Sequence, residues 1–145
     1  MTEGSAPEPS PPPSAPATVA DVMRPPAMTL DQNDHVAAAA YLMKHEGATA
    51  LVVMDPERKN QPMGIITEAD IVSAVAEGKD VNDLRILDLM TSRPTVINGA
   101  TSIRDAARTM TAGHFRHLPV VDDTGLIGMV DIADVSQALI DLPPG

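Results

Sequence analysis

The sequence predicts an α/β (α+β) fold in which two tandem βαββα-type units pack as a pseudo-two-fold pair. Two observations support this prediction. The chain repeats itself once, and each copy places a one-sided helical stripe of apolar residues before two short β-branched runs. One such unit would leave the apolar face of its sheet exposed, so we expect the two copies to fold together.

The internal repeat has a nearly constant offset. Asp21-Val22-Met23 returns as Asp88-Leu89-Met90, 67 positions later (88 − 21). The offset falls to 64 beyond Asp55, because the first copy carries three extra residues in its loop, and Gly64 then aligns with Gly128 (128 − 64). Two copies of one fold readily tolerate an insertion in a surface loop. The predicted units are residues 18–80 and 81–142.

A helix follows the same offset in both copies. Its apolar positions recur at i, i+3, i+4 and i+7, and they are Val36, Ala39, Ala40 and Met43, paired with Ile103, Ala106, Ala107 and Met110. Asp34 or Thr101 is expected to cap the start of this helix, and Gly47 or Gly113 to end it. We also expect the helices that carry Met43 and Met110 to face a partner chain in a homodimer.

Strands and a second helix complete each copy. A short helical turn that ends in Met opens the unit, and a second amphipathic helix closes it at 71–76 or 132–140. The predicted strands are 28–30, 51–53 and 64–66 in the first copy, and 95–97, 118–121 and 127–130 in the second.

Composition excludes several classes of function. The chain has no Cys, which removes disulfides, thiolate catalysis and cysteine-bound zinc. A formal charge of -10 argues against a nucleic-acid partner. No apolar run approaches the ~18 residues of a membrane span, and no signal peptide is recognisable, so we expect a cytoplasmic protein without a membrane partner. No catalytic triad ordering or P-loop is present, so an enzyme is not expected.

The first 17 residues differ from the rest. This segment holds six of the 14 prolines and no Val, Leu or Ile. It cannot bury enough apolar surface to offset its ordering entropy, so we expect residues 1–17 to form a disordered Pro-rich tail.

Four stretches resemble the CBS domain. ADVMRPPAMTL and LDLMTSRPTVI are similar to its opening, and ALVVMDPERKNQPMGIITEADIV and HLPVVDDTGLIGMVDIADV are similar to its close. No single stretch is diagnostic, but the ordered series in two copies is specific. The chain thus resembles a CBS-domain pair, or Bateman module, of the small stand-alone actinobacterial type.

The resemblance implies a regulatory module with two clefts between its repeats. Such clefts bind adenosine-containing ligands such as AMP, ADP, ATP or S-adenosylmethionine. It implies neither a resident cofactor nor a metal, since the adenosyl compound is a regulatory ligand. It also implies a homodimer and an unidentified regulated protein as partners. The alternative is a ligand-free dimeric module for protein interaction.

The ribose motif of the family, Gly-h-h-Ser/Thr-x-x-Asp, is complete in the first copy. It runs from Gly64 through Ile65 and Thr67 to Asp70, and the resemblance assigns the last three to ligand binding. An Asp carboxylate can accept bonds from both ribose hydroxyls, and a helix N-terminus favours a phosphate. The alternative interpretation is structural, because Thr67-x-x-Asp70 also matches a capping box.

The second copy departs from this motif. Asp131 stands where the hydroxyl residue is expected, followed by Asp134. A carboxylate about 4 Å from a phosphate costs ~1 kcal/mol or more. We therefore expect unequal clefts: a strong nucleotide site at Asp70, and a second cleft that prefers a nucleoside or a cationic adenosyl compound, or remains empty.

Arg116 and His117 are the remaining candidates. Basic residues just before this strand reach phosphates in related modules, and the counterparts Thr49 and Ala50 are not basic. The alternative is an ordinary solvated loop. His114 and His117 also have half of a zinc-site spacing, but no third ligand is apparent. Arg24 either lines a cleft or forms a surface ion pair.

Overall fold

Two three-stranded sheets, one mainly from each repeat, form the framework of the chain. The structure is a computed structural model that describes residues 17–143. The segment predicted as a disordered tail therefore lies, apart from Ala17, outside the described residues. The sheets and five α-helices confirm the predicted α/β (α+β) fold with two similar units.

The first unit contains helices α1 and α2 around the first sheet. After a 3-10 turn at Val19–Asp21, its elements are α1 (Val36–Glu46), β1 (Ala50–Met54), β2 (Pro62–Thr67) and α2 (Glu68–Ala76). β1 and β2 pair antiparallel. The predicted first strand at 28–30 is reduced to one parallel bridge between Leu30 and Val53. Helix α2 begins directly after β2, three residues before the predicted start.

The second repeat follows the same plan along the sequence, although its first strand, Thr91–Ser92, pairs with β2 in the first sheet. Its elements are α3 (Ile86–Leu89), β3 (Thr91–Ser92), β4 (Ile97–Asn98), α4 (Ile103–Gly113), β5 (His117–Asp122), β6 (Gly125–Asp131) and α5 (Ile132–Asp141). β4 runs parallel to β5, and β5 pairs antiparallel with β6. The predicted first strand at 95–97 thus shifts to 97–98, because only these residues reach β5.

The opening segment of each repeat packs into the other unit. Val19 is fully buried among core residues of the second unit, and Ile86 among those of the first. Val19 N donates to Thr101 O at 2.9 Å, and Ile86 N donates to Asp34 O at 2.8 Å, so the exchange has the same hydrogen bond in both directions. Full burial of one such side chain stabilises by about 1.5–3 kcal/mol. The sequence repeats and the packed units therefore do not coincide.

Helix capping matches the prediction at one position and corrects it at three. Gly47 ends α1 in the left-handed region at φ 67°. The N-caps, however, are His35 and Ser102 rather than Asp34 and Thr101. Ser102 Oγ accepts from Asp105 N at 3.0 Å, whereas the Asp34 carboxylate accepts from Asp31 N within the preceding turn.

The end of α4 differs because of Phe115. Gly113 is still helical, and His114 takes the left-handed cap conformation at φ 57°. A Cβ on Gly113 would lie 2.1 Å from the Phe115 ring. Gly113 thus provides room for this ring instead of ending the helix.

Met43 and Met110 lie in the two cores. Their exposed fractions are 5% and 1%, and each packs with the buried strand residues of its own unit. These two side chains are therefore not part of a partner surface, and the expectation that the helices carrying them face a partner chain stays a prediction. The apolar stripe that the helical period predicts is buried in each helix, but it packs against the sheet of its own unit.

The three-residue insertion of the first repeat contacts the second repeat. Asn60 O accepts from Leu126 N at 2.9 Å, and its side-chain amide donates to Thr124 O at 3.0 Å. Gly125 is buried between these contacts at φ 114°, and a Cβ there would lie 2.2 Å from Asn60 O. The loop therefore joins the two units at the end of the sheets opposite Thr67.

We predict that Gly125→Ala destabilises the fold more than Gly47→Ala. Both residues have positive φ, which costs an alanine about 1–2 kcal/mol, but only Gly125 has a neighbour within 4 Å. The clash with Asn60 should add ~1–3 kcal/mol. Urea unfolding of the two variants measures the difference. An equal decrease in the free energy of unfolding for both variants would show that Asn60 moves away from the added methyl group without destabilising the fold.

Candidate functional site

A cleft of about 600 Å³ lies between the two units. This volume is in the range of small-molecule sites. The N-termini of α2 and α5 open into this cleft. The connection between α4 and β5 lines it as well, and so does the segment of the second repeat that begins at β3. The lining residues include 67–70, 131–133, 114–117, Thr49, Ile65, Thr91, Pro94 and Thr95.

Thr67 and Asp70 line this cleft and also cap helix α2. Thr67 N donates to Asp70 Oδ2 at 2.8 Å, and Asp70 N donates to Thr67 Oγ1 at 3.3 Å. The capping box expected from sequence is therefore formed. Asp70 Oδ1 takes no part in it, so capping and ligand binding are compatible. Ile65, on the preceding strand, is buried and contributes an apolar surface.

Arg116 and His117 line the same cleft. His117 Nε2 lies 2.7 Å from Thr49 Oγ1 of the first repeat, where either atom acts as donor according to the tautomer. Burial lowers the pKa of His117, with Arg116 acting in the same direction and the Asp131 and Glu68 carboxylates opposing it. His117 is therefore neutral near pH 7, and Arg116 is the fixed cation of this wall.

Asp131 lies in the same cleft as Thr67, which corrects the placement expected from the repeats. The alignment of the repeats predicts that Asp131 lies in a separate second cleft. In the structure the two helix N-termini converge, so Asp131 caps α5 by accepting from Asp134 N at 2.9 Å and also lines the Thr67 cleft. Its carboxylate charge would therefore act on any ligand bound beside Asp70.

Asp134 does not line this cleft. Its two carboxylate oxygens accept from Arg24, with Nε to Oδ2 at 3.1 Å and Nη2 to Oδ1 at 2.9 Å. Of the two roles considered for Arg24, the structure thus has the ion pair. Asp70 and Asp134 occupy equivalent positions but have different partners, a backbone N–H and a guanidinium.

The charge of the cleft is mainly acidic. Glu68, Asp70 and Asp131 contribute carboxylates, and Arg116 contributes the guanidinium. The N-termini of α2 and α5 add about half a positive charge each. Sequence reasoning missed Glu68 and Thr91. Thr91 could have been found, because it aligns with Arg24 in the repeat and lies beside the strand that carries the ribose motif.

Residues 17–143 contain neither a cluster of metal-ligand side chains nor a membrane-spanning helix. Within that range no three or more His, Asp or Glu side chains cluster as metal ligands would. The described helices are all too short or too polar to cross a bilayer.

Comparison with known proteins identifies similar chains. CBSX3, a mitochondrial CBS domain-containing protein of Arabidopsis thaliana, is 32% identical over 133 residues, which cover 85% of this chain and 65% of that protein. This chain thus spans somewhat less than two thirds of that relative. The crystal structure of CBSX2 in complex with AMP has a TM-score of 0.72 at 27% identity and covers 88% of this chain and 99% of that one.

A third similar structure is an assembly. The hexameric CBS-CP12 protein of bloom-forming cyanobacteria has a TM-score of 0.76 at 28% identity, over 82% of this chain and 66% of that one. The family model of the CBS domain matches this chain twice, at residues 19–77 and 86–141. This chain therefore belongs to the CBS domain family and carries a pair of CBS domains.

Proposed function

We propose that this chain is a regulatory module that binds an adenosine-containing ligand in the cleft at Asp70. The proposal rests on the observation that candidate ligand-binding residues from both repeats line the same cleft. Thr67 and Asp70 from the first repeat, and Arg116 and His117 from the second, line one cleft of about 600 Å³. Those are the groups that a ribose and a phosphate need, and they are supplied by elements far apart in sequence.

Each part of the cleft suits one part of the ligand. Asp70 Oδ1 would accept from the ribose hydroxyls while Oδ2 keeps the helix cap. The N-termini of α2 and α5, with Arg116, would face the phosphate. Ile65 and Pro94 would contact the base from its apolar side. The related CBSX2 structure is described as a complex with AMP, which supports a ligand of this class.

The three carboxylates favour a ligand of low negative charge. AMP carries about two negative charges at neutral pH, whereas each further phosphate of ADP or ATP would meet Glu68, Asp70 or Asp131. A like charge at ~4 Å costs about 1 kcal/mol in water and more where solvent is excluded. We therefore propose AMP or S-adenosylmethionine as the ligand class ahead of ATP, in a regulatory rather than a catalytic role.

Asp70→Ala is expected to weaken AMP binding at least about tenfold, because a hydrogen bond to a charged group contributes ~1.5–3 kcal/mol. Asp134→Ala is the matched control, since that carboxylate is bound to Arg24 outside the cleft. It should change affinity less than about twofold. Calorimetry measures both, and melting curves confirm that each variant is folded. Equal losses from the two variants would contradict a site at Asp70.

AMP binding is expected to strengthen as pH falls from about 7.5 to 6, because a phosphate raises the depressed pKa of His117 and so binds together with a proton. One proton gives at most about tenfold per pH unit. His117→Gln should reduce this pH dependence of AMP affinity. The ionisation of the AMP phosphate affects wild type and variant equally, so it cancels when the two pH profiles are compared. An unchanged pH profile in the variant would exclude His117 from the phosphate end of the site.

The fold responds to pH in the opposite sense. The folded pKa of His117 lies below its ordinary value of 6.5, so the folded state favours the neutral imidazole. This contribution to stability is complete above pH 6.5 and declines as the pH falls below it. Ligand affinity and the stability of the empty protein should therefore change with opposite signs over the same pH range.

We propose, as a second function of the fold, self-association through α1 and α2. These helices contact each other and expose Tyr41, Val72 and Val75 at 66%, 64% and 58%. Exposed apolar side chains of this size indicate an interaction surface. The related CBS-CP12 protein is hexameric. A second copy of this chain is the occupant that we propose, and a module without ligand would still use this surface.

Val72→Asp is expected to shift the chain from dimer to monomer in analytical ultracentrifugation, because a charge would be buried against the second copy. Val96→Asp is the control, since Val96 is an exposed valine outside α1 and α2. It should leave the dimer intact. A wild-type protein that sediments as a monomer at all concentrations would contradict self-association.

A further inference from the structure

Arg24 occupies the position that Thr91 has in the other repeat (24 + 67 = 91). Arg24 and Met129 exchange two backbone hydrogen bonds of 2.9 Å, and Thr91 pairs with Ile65 in the same antiparallel manner. Residues directly opposite in an antiparallel pair carry their side chains on one face. Arg24 and Met129 are therefore the counterparts of two residues that line the cleft.

The space between Thr91 and Asp70 is open, whereas the equivalent space is closed. Thr91 and Asp70 both line the 600 Å³ cleft. Arg24 instead extends from the strand edge to Asp134, and both carboxylate oxygens of Asp134 accept from its guanidinium. These are the oxygens that the ribose hydroxyls of a ligand would need.

The position of the guanidinium explains the closure. The Asp134 side chain is 18% exposed and the Arg24 side chain 70% exposed, so the guanidinium covers the carboxylate from the solvent side. The hydrogen bonds that Arg24 donates to Asp134, and the negative charges of Asp134 and Asp131, raise the pKa of Arg24. Asp134 thus binds the guanidinium directly, and the charge of Asp131 adds to the attraction. At the equivalent position of the other repeat, the neutral Thr91 leaves the cleft open.

We propose that Arg24 acts as an internal substitute for ligand, which closes the second, symmetry-related cleft and limits the chain to one adenosyl site. The residue at this position determines the state of each cleft: Thr91 leaves the first one open, and Arg24 closes the second. The stoichiometry depends on the proposed ligand class, whereas the closure itself can be tested without any ligand.

The ligand-free test uses an introduced thiol, because the chain has no Cys. Met129→Cys places one thiol beneath Arg24, and its alkylation by a maleimide is measured with and without Arg24→Thr. We expect Arg24→Thr to accelerate alkylation at least about fivefold, because the thiolate must be reached by the reagent. Ile65→Cys, in the open cleft, should show no such acceleration. An equal rate at position 129 with Arg or Thr at position 24 would overturn the proposal.

The ligand test uses stoichiometry measured by calorimetry with AMP. Wild type should bind one AMP per chain. Arg24→Thr combined with Asp131→Thr should bind two, because the first change removes the guanidinium from Asp134 and the second removes a carboxylate that acts on both positions. Asp131→Thr alone is the control, which should bind one AMP more tightly. Thr91→Arg should weaken the first site at least about tenfold by pairing with Asp70.

The outcomes separate the two proposals. No AMP binding by wild type, with faster alkylation after Arg24→Thr, would refute AMP as the ligand and leave the closure by Arg24 supported. One AMP per chain in the double variant would contradict closure of the second cleft by Arg24, and so would full AMP affinity in Thr91→Arg. Either result would leave the proposed ligand site at Asp70 supported.

Discussion

The exchange of opening segments between the two units is the constraint on which the rest of the structure depends. Val19 completes the core of the second unit and Ile86 that of the first, and both side chains are fully buried. Neither unit has a complete core without the segment from the other repeat. Separating the units would expose both side chains and break the paired backbone hydrogen bonds, so the repeats fold as one body.

The exchange also forms the cleft that we propose as the binding site. It places Thr91 beside β2, so the cleft at Asp70 has one wall from each repeat. Because the two units pack as a pseudo-two-fold pair, the N-termini of α2 and α5 open into one cleft, which Asp131 and Thr67 both line. Capping and binding are therefore not competing interpretations of Asp70: one carboxylate oxygen holds the helix start, and the other remains for a ligand.

The two repeats keep one backbone but have diverged in the side chains around it. The first cleft combines a hydroxyl, a carboxylate and Arg116, and the second is bridged by an ion pair. The exchanged segments are nevertheless buried to the same extent in both units, since Val19 and Ile86 are each fully buried. The Thr49–His117 hydrogen bond at one end of the sheets and the Asn60 contacts at the other join the units across this asymmetry.

The sequence by itself determined the fold class, the two repeats, the buried helix stripes and the ribose motif, because each depends on local periodicity or on a few neighbouring residues. Only the tertiary structure decided which unit each opening segment enters, that Met43 and Met110 face their own cores, and that Asp131 shares a cleft with Thr67. It also decided that Asp134 is bound by Arg24, 110 residues away. These outcomes depend on contacts between segments that are distant in sequence. The alignment of the repeats does not specify which unit an opening segment enters or which side chain binds Asp134, so only the packed chain determines them.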